Sequence, residues 1–195
     1  MTFLFLWKKI RGGDLNYTEP IRNKRSIEKI LRYLKKESDR DYILFLLGFY
    51  TGLRIQDILN LKVSDVRGKK YITLNEGKTK KGKRFFLHDE LRMELKRYTQ
   101  GKEEFEYLIL SRQGINSPIG RERAYQIIRE TGEMFNLEIA PHSLRKTFGY
   151  IHYQQHKNIA ILQKIFNHSS QLVTLRYIGV EQDVIDDSIK SFSLY

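Results

Sequence analysis

The sequence predicts a mainly α domain with one small three-stranded antiparallel β-sheet. Two observations lead there. Apolar residues recur at helical spacing along most of the chain, and in the middle the period shortens to that of extended strands. A third observation, the lack of any internal repeat, low-complexity tract or linker, keeps the reading to one domain at 195 residues.

Residues 1–22 have no clear period and contain Gly12, Gly13 and Pro20, so a loosely ordered lead-in is expected there. A domain spanning 23–195 follows. Ile27, Ile30, Leu31 and Leu34 fall on one helical face among Lys and Arg. Residues 41–50 are apolar almost all round, as in a central buried helix. Thr51-Gly52 interrupts that run, and 54–61 reads as a short helix with Ile55, Ile58 and Leu59 inward. Tyr71-Ile72-Thr73-Leu74 and Arg84-Phe85-Phe86-Leu87 then form the strands of a hairpin with a long basic tip. A helix over 90–98 comes next, and Tyr107-Leu108-Ile109-Leu110 is expected to supply the third strand. Residues 121–135 are helical, and Pro141 opens a helix reaching about residue 155, since Pro suits a first helical turn. Three short helices, 159–166, 172–177 and 183–192, complete the chain, with a helical tail from about 181 to 195.

Composition narrows the function. Lys+Arg is 35 against 23 Asp+Glu, a formal excess of +12. A basic domain of this kind meets phosphate polyanions or anionic membranes. The longest apolar run, 43–50, is broken by Gly48 and falls far short of a membrane span. Phe3-Leu4-Phe5-Leu6-Trp7 has no charged region before it and meets Lys8-Lys9 at once, unlike a signal peptide. Nucleic acid is therefore the leading partner. The absence of Cys excludes disulfides, thiolate metal sites and cysteine nucleophiles, and fits a cytoplasmic location.

Four constellations could hold chemistry. Gly77-Lys78-Thr79-Lys80-Lys81-Gly82-Lys83-Arg84 nearly matches a phosphate-binding P-loop. Arg84 stands where a magnesium-binding hydroxyl belongs, however, and a strand follows where a helix N-terminus is needed. A solvated basic loop or a phosphate-contacting hairpin are the remaining readings. In Pro141-His142-Ser143-Leu144-Arg145, His142 and Arg145 share a helix face. That pair suits a reaction developing charge on a phosphate, and equally a packed histidine beside an ion-paired arginine. His152 and His156 have the spacing of paired zinc ligands, but no carboxylate ligand accompanies them, so no metal is expected. Lastly, Phe166-Asn167-His168-Ser169-Ser170 precedes Thr174-Leu175-Arg176-Tyr177. His168 and Tyr177, taken singly, read as packing residues.

Taken together, these residues resemble a known set. Arg54 within Thr51-Gly52-Leu53-Arg54, Lys78 in the basic hairpin, His142-x-x-Arg145, His168 and Tyr177 occur in one order. They resemble the active-site residues of the tyrosine recombinases, the phage-integrase family, with coverage from about residue 26 to the C-terminus. Asp57 stands where that family commonly has Glu, and Asn167 where Gly is usual. Asn tolerates left-handed backbone angles, so the turn is expected to survive. Members usually carry a helical core-binding domain before the catalytic one, so this chain resembles the catalytic-domain fold standing alone.

The resemblance implies that Tyr177 attacks a DNA phosphodiester and releases a 5′-hydroxyl, without metal, ATP or another cofactor. Arg54 and Arg145 would clamp the non-bridging oxygens, where fixed cations stabilise the transition state most. His142 and His168 would bond the phosphate, with His142 also able to take the phenolic proton. A free tyrosine, with a pKa of about 10, needs such help near neutral pH. Lys78, by its position relative to Arg54, is preferred over Lys80 and Lys81 as the acid that protonates the leaving oxygen. Lys80, Lys81, Lys83, Arg84, Arg121, Arg123 and Lys146 are candidate phosphate contacts that position the DNA without reading sequence. Recombination by the family implies a tetramer on double-stranded DNA. The acidic tail helix either packs on its own domain or docks on a neighbouring protomer, and an accessory DNA-binding protein could replace the absent domain. Two other functions compete: a non-catalytic DNA-binding regulator on the same fold, and a type IB topoisomerase.

Overall fold

A computed structural model describes residues 18–75 and 82–193, the side chains of Asn75 and Gln182 excepted. Helix α1 (Lys24–Glu37) begins where the Asn23 side chain accepts from the Arg25 N–H at 2.9 Å, which satisfies one of the orphan donors of a first turn. Ser38 ends α1 and caps α2 (Asp39–Thr51) in turn, accepting from the Asp41 N–H at 3.3 Å. The all-round apolar character of α2 has the expected result. Ile43, Leu44, Phe45 and Leu47 are fully buried at the centre of the main core. Around α2 pack α1, α5 (Asp89–Tyr98) and α7 (Pro141–His156).

Gly52 ends α2 at φ 60°, in the left-handed region that Gly adopts without strain. A Cβ there would also lie 2.4 Å from the Phe148 ring. The turn sends the chain into α3 (Ile55–Leu59), for which Arg54 is the N-cap residue. A one-turn helix, α4 (Val63–Val66), follows. Strands β1 (Tyr71–Asn75) and β2 (Gly82–Phe86) pair antiparallel in the register Tyr71 opposite Phe86 through Asn75 opposite Gly82. The Tyr71 and Phe86 rings meet edge-on at 5.6 Å, a stabilising cross-strand pair. The remaining helices are α6 (Arg121–Met134), α8 (Ile159–Phe166), α9 (Gln171–Ile178) and α10 (Glu181–Ser191).

The sheet has two strands among the described residues, not three. Leu108 and Ile109 are fully buried as an apolar run should be, but Tyr107 and Leu110 make only isolated bridges, to Lys62 and Pro118. Around the second bridge the Ser111 N–H donates to the Ser117 carbonyl and the Ile119 N–H to the Ile109 carbonyl, and the pairing stays a single bridge. Burial set the apolar pattern there without any sheet. The lead-in also differs from expectation. Residues 18–22 are fastened to the domain: Ile21 is buried, and its N–H donates to Thr147 Oγ1 at 2.8 Å. Residues 1–17 lie outside the described part.

Helices α8, α9 and α10 pack on a separate small cluster built on Leu162, Phe166, Ile178 and Val180. Each of the first two is closed by caps. Asn158 Oδ1 accepts from the Ile161 N–H, and Ser170 Oγ from the Val173 N–H, both at 3.2 Å. Asn167 ends α8 at φ 56° and ψ 47°, the left-handed geometry expected of it.

Candidate active site

Arg54, His142, Arg145, His168 and Tyr177 come together where α3, α7 and the α8–α9 turn meet. Arg145 lies on the first turns of α7, which Pro141 opens, with Ser143 Oγ accepting from the Ala140 N–H at 3.2 Å. Its side chain is 5% exposed. The guanidinium donates to the Gly52 carbonyl and, at 3.2 Å, to the Phe166 carbonyl, and it lies 4.4 Å from the Phe166 ring centroid. Guanidinium carries five N–H donors in a fixed plane, so these bonds orient it and leave capacity for an anion. Arg54, in contrast, is exposed. Arg54, Gln56, Arg121, His142 and Arg145 line a cleft of about 180 Å³.

Tyr177, on the last turn of α9, places its hydroxyl 3.3 Å from His142 Nδ1. The Phe166 and His168 rings meet the Tyr177 ring edge-on at 5.4 and 5.0 Å. Burial raises the phenol above its ordinary value of 10.0, and Arg145 and Arg54 pull it back only in part. Desolvation pushes His142 below 6.5, helped by the charges of Lys146, Arg145, Arg54 and Arg121. A neutral His142 can accept the phenolic proton, so the two shifts set a protonated acid beside an unprotonated base.

His168 is oriented by a residue to which the sequence reading assigns no role. Its Nδ1 lies 3.1 Å from Thr174 Oγ1, and that hydroxyl donates to the Ser170 carbonyl at 3.0 Å. With the hydroxyl proton so committed, Nδ1 is the donor, and Nε2 is the nitrogen whose state changes on protonation. Burial first, then Arg145 and Arg54, hold His168 below 6.5. Fully buried Thr174 stands six residues past His168 and four past Ser170, spacing that could have revealed the pair. Phe166 was missed as well. It touches Arg145, His168 and Tyr177 at once, and nothing in an apolar helix end distinguishes it from ordinary core.

The basic residues divide. Lys78, Lys80 and Lys81 lie outside the described residues. Arg84, Arg121 and Arg123 are exposed, with Arg123 3.7 Å from Glu130. Lys83 and Lys146 do not stand as surface cations. The Lys83 ammonium donates to the Lys164 and Ile165 carbonyls at 2.9 and 2.7 Å, at the carboxyl end of α8. Lys146 is 7% exposed and donates to the Thr18 carbonyl. Both are long cations drawn to main-chain acceptors. Gly82 begins a strand, so the P-loop-like segment leads into no helix N-terminus. The His152 and His156 rings lie 4.7 Å apart with their planes tilted at 54°, and no group of three or more metal-ligating side chains occurs among the described residues. No described helix is long and apolar enough to cross a membrane.

Comparison with known proteins bears on this arrangement. The chain is 42% identical over 179 residues to the probable integrase/recombinase YoeC of Bacillus subtilis, covering 91% of this chain and 98% of that one. It is 26% identical over 171 residues to tyrosine recombinase XerA of Pyrococcus furiosus, of which it spans 60%. The crystal structure of XerA recombinase shares the fold with a TM-score of 0.73 at 19% identity, over 94% of this chain and 68% of the other. XerH site-specific recombinase bound to its difH substrate shares it at 0.68 and 19%, over 90% and 54%. The phage integrase family model matches residues 23–183, from the cap of α1 past Tyr177, and the chain belongs to that family.

Proposed function

We propose that the chain is a site-specific DNA strand-transferase, a recombinase or integrase acting through a covalent phosphotyrosine. The observation that carries this reading is the Tyr177 hydroxyl 3.3 Å from His142 Nδ1, beside the buried, doubly anchored Arg145. The phenol gives its proton to His142 as its oxygen bonds to the scissile phosphorus. The bond to the 5′-oxygen breaks, and Lys78 protonates that oxygen as it leaves. Arg54 and Arg145 hold the non-bridging oxygens, with His168 as a further donor when protonated. A second strand's 5′-hydroxyl reverses the steps and restores the phenol. The bond energy stays in the phosphotyrosine, so no ATP is needed, and two guanidinium groups take the part that divalent ions play elsewhere.

Double-stranded DNA is the partner. Of the candidate phosphate contacts, Arg84, Arg121 and Arg123 are exposed and can meet its phosphates. Exchange between two duplexes calls for four active sites, hence a tetramer on DNA. The apolar edge of α10, with Ile185, Ile189 and Phe192 at 46, 68 and 70% exposure, supports the reading that the tail meets a neighbouring protomer. In a prokaryotic cell such a protein works at the nucleoid.

The test is incubation with nicked suicide duplexes drawn from the DNA flanking its gene. A covalent adduct is expected with and without EDTA, and none with Tyr177→Phe. Binding without an adduct on any such duplex would favour the non-catalytic regulator. Relaxation of supercoils without site preference would favour the topoisomerase.

A further inference from the structure

Residues 18–22 cross α7 and the end of α9 as a strap. The Thr18 carbonyl accepts from Lys146 Nζ at 2.5 Å, and that ammonium stands 5.3 Å from the Tyr177 ring centroid. At the other end of the strap, Arg22 donates to the Gly179 carbonyl at 2.6 Å and to Asp183 at 2.9 Å. Its guanidinium also lies 5.0 Å from the Tyr150 ring centroid. Gly179 caps α9 two residues beyond Tyr177, at φ 71°. A Cβ there would lie 3.1 Å from an Arg22 nitrogen and 3.2 Å from the Glu19 carboxylate, so the strap fills the space a side chain would need.

We propose that Arg22 is a positioning residue for Tyr177, and that the strap sets where the phenol sits against His142. The inference rests on the reading of Tyr177 as nucleophile. A carbonyl just past a helix end lacks an intrahelical donor, and a cation there also meets the negative end of the helix dipole. Arg22 supplies both to α9. An exposed ion pair such as Arg22–Asp183 contributes little by itself. The bond to Gly179 is different, because it fixes the backbone from which the nucleophile projects. Misplacement of a reacting group by about 1 Å can cost about 100-fold in rate. The strap thus reaches the surroundings of the nucleophile by two routes, at its helix end through the Arg22–Gly179 bond and beside its ring through the Thr18 carbonyl that holds Lys146.

The experiment compares Arg22→Ala, Arg22→Lys and Asp183→Asn. Three quantities are read: DNA affinity, single-turnover adduct formation at saturating nicked DNA, and the Tyr177 ring signal of ¹³C-tyrosine-labelled free protein, assigned with Tyr177→Phe. Arg22→Ala should slow adduct formation by about tenfold or more, leave affinity within about twofold, and shift the Tyr177 signal. Asp183→Asn keeps the Gly179 bond and should lose less. If Arg22→Ala does not fold, Arg22→Lys, which keeps one charged donor, should show the same pattern more weakly. An unchanged rate, an unshifted Tyr177 signal, or affinity falling in step with rate overturns the proposal, the last because Arg22 would then be a phosphate contact. If wild-type protein forms no adduct, the strand-transferase reading fails, and the Tyr177 signal in the free protein alone decides for or against the strap.

Discussion

The two arginines of the site and its tyrosine are mounted on different foundations. Arg54 and Arg145 project from elements rooted in the main core, where α2 is buried all round. Tyr177 and His168 belong to α8, α9 and the turn between them, which rest on a small cluster around Leu162, Phe166, Ile178 and Val180. On the proposed mechanism, the difference follows from what each group does. Fixed charges stabilise a transition state best when they need not reorganise, so they belong on the stiffest part of the fold. A nucleophile must approach phosphorus and later withdraw, which a lightly anchored segment allows at low free-energy cost.

Variants that weaken each foundation separately should behave differently. The largest contrast should come from the arginines. Arg145→Met and Arg54→Met should both abolish adduct formation, while only Arg145→Met destabilises the fold, by about 2–3 kcal/mol. Its loss leaves the Gly52 and Phe166 carbonyls without their buried donor. Arg54 is exposed, and its replacement should stay within about 0.5 kcal/mol. Urea melts of the two variants measure this, and equal destabilisation would contradict the assignment of roles.

A smaller contrast is expected between Leu47→Ala and Leu162→Ala, two fully buried leucines in the two clusters. Buried Leu-to-Ala changes cost about 2–5 kcal/mol, more where the surroundings cannot collapse. Leu47 should lie near the top of that range and Leu162 near the bottom. Leu162→Ala should nevertheless slow cleavage more, since it loosens the platform of Tyr177. A slower Leu47→Ala enzyme, matched for stability, would reverse the comparison.

The smallest effect concerns pH. His168 is held below 6.5 by burial and by Arg145 and Arg54, so the unfolded segment binds a proton before the folded one does. Stability linked to His168 is therefore complete above about pH 6.5 and is lost as pH falls toward the lower folded value. Hydrogen exchange, corrected for intrinsic rates, should show α8 and α9 losing protection between pH 7.5 and 5.5 while α2 keeps its own. Uniform loss across both regions would show that they open as one unit.

Legibility in the sequence followed the same division. The buried α2 was plain, because eight apolar residues among the ten from 41 to 50 admit few other readings. The order of Arg54, His142, Arg145, His168 and Tyr177 was plain as well, and so was the left-handed Asn167. What could not be read was the use of neutral backbone as a partner. Nothing marks Lys83 and Lys146 as ligands of main-chain carbonyls, since a lysine's charge looks alike on a surface and against a helix end. The third strand failed for a related reason. Tyr107-Leu108-Ile109-Leu110 has the composition of a strand, but sheet membership depends on which distant segments run alongside it, and Lys62 and Pro118 each meet it at a single residue.

The bond from Arg145 to the Gly52 carbonyl joins residues 93 apart in the chain. Closing so long a loop costs entropy that is recovered only when the contacts on both sides are in place, so such pairings form late in folding. Arg54 therefore meets the rest of the site only in a chain already folded through α7. A misfolded or half-folded copy would hold a tyrosine, histidines and two arginines with no shared focus. Such a copy could bind DNA by charge, but it could not cut it. For a protein whose chemistry breaks DNA strands, the folding order itself is a safeguard.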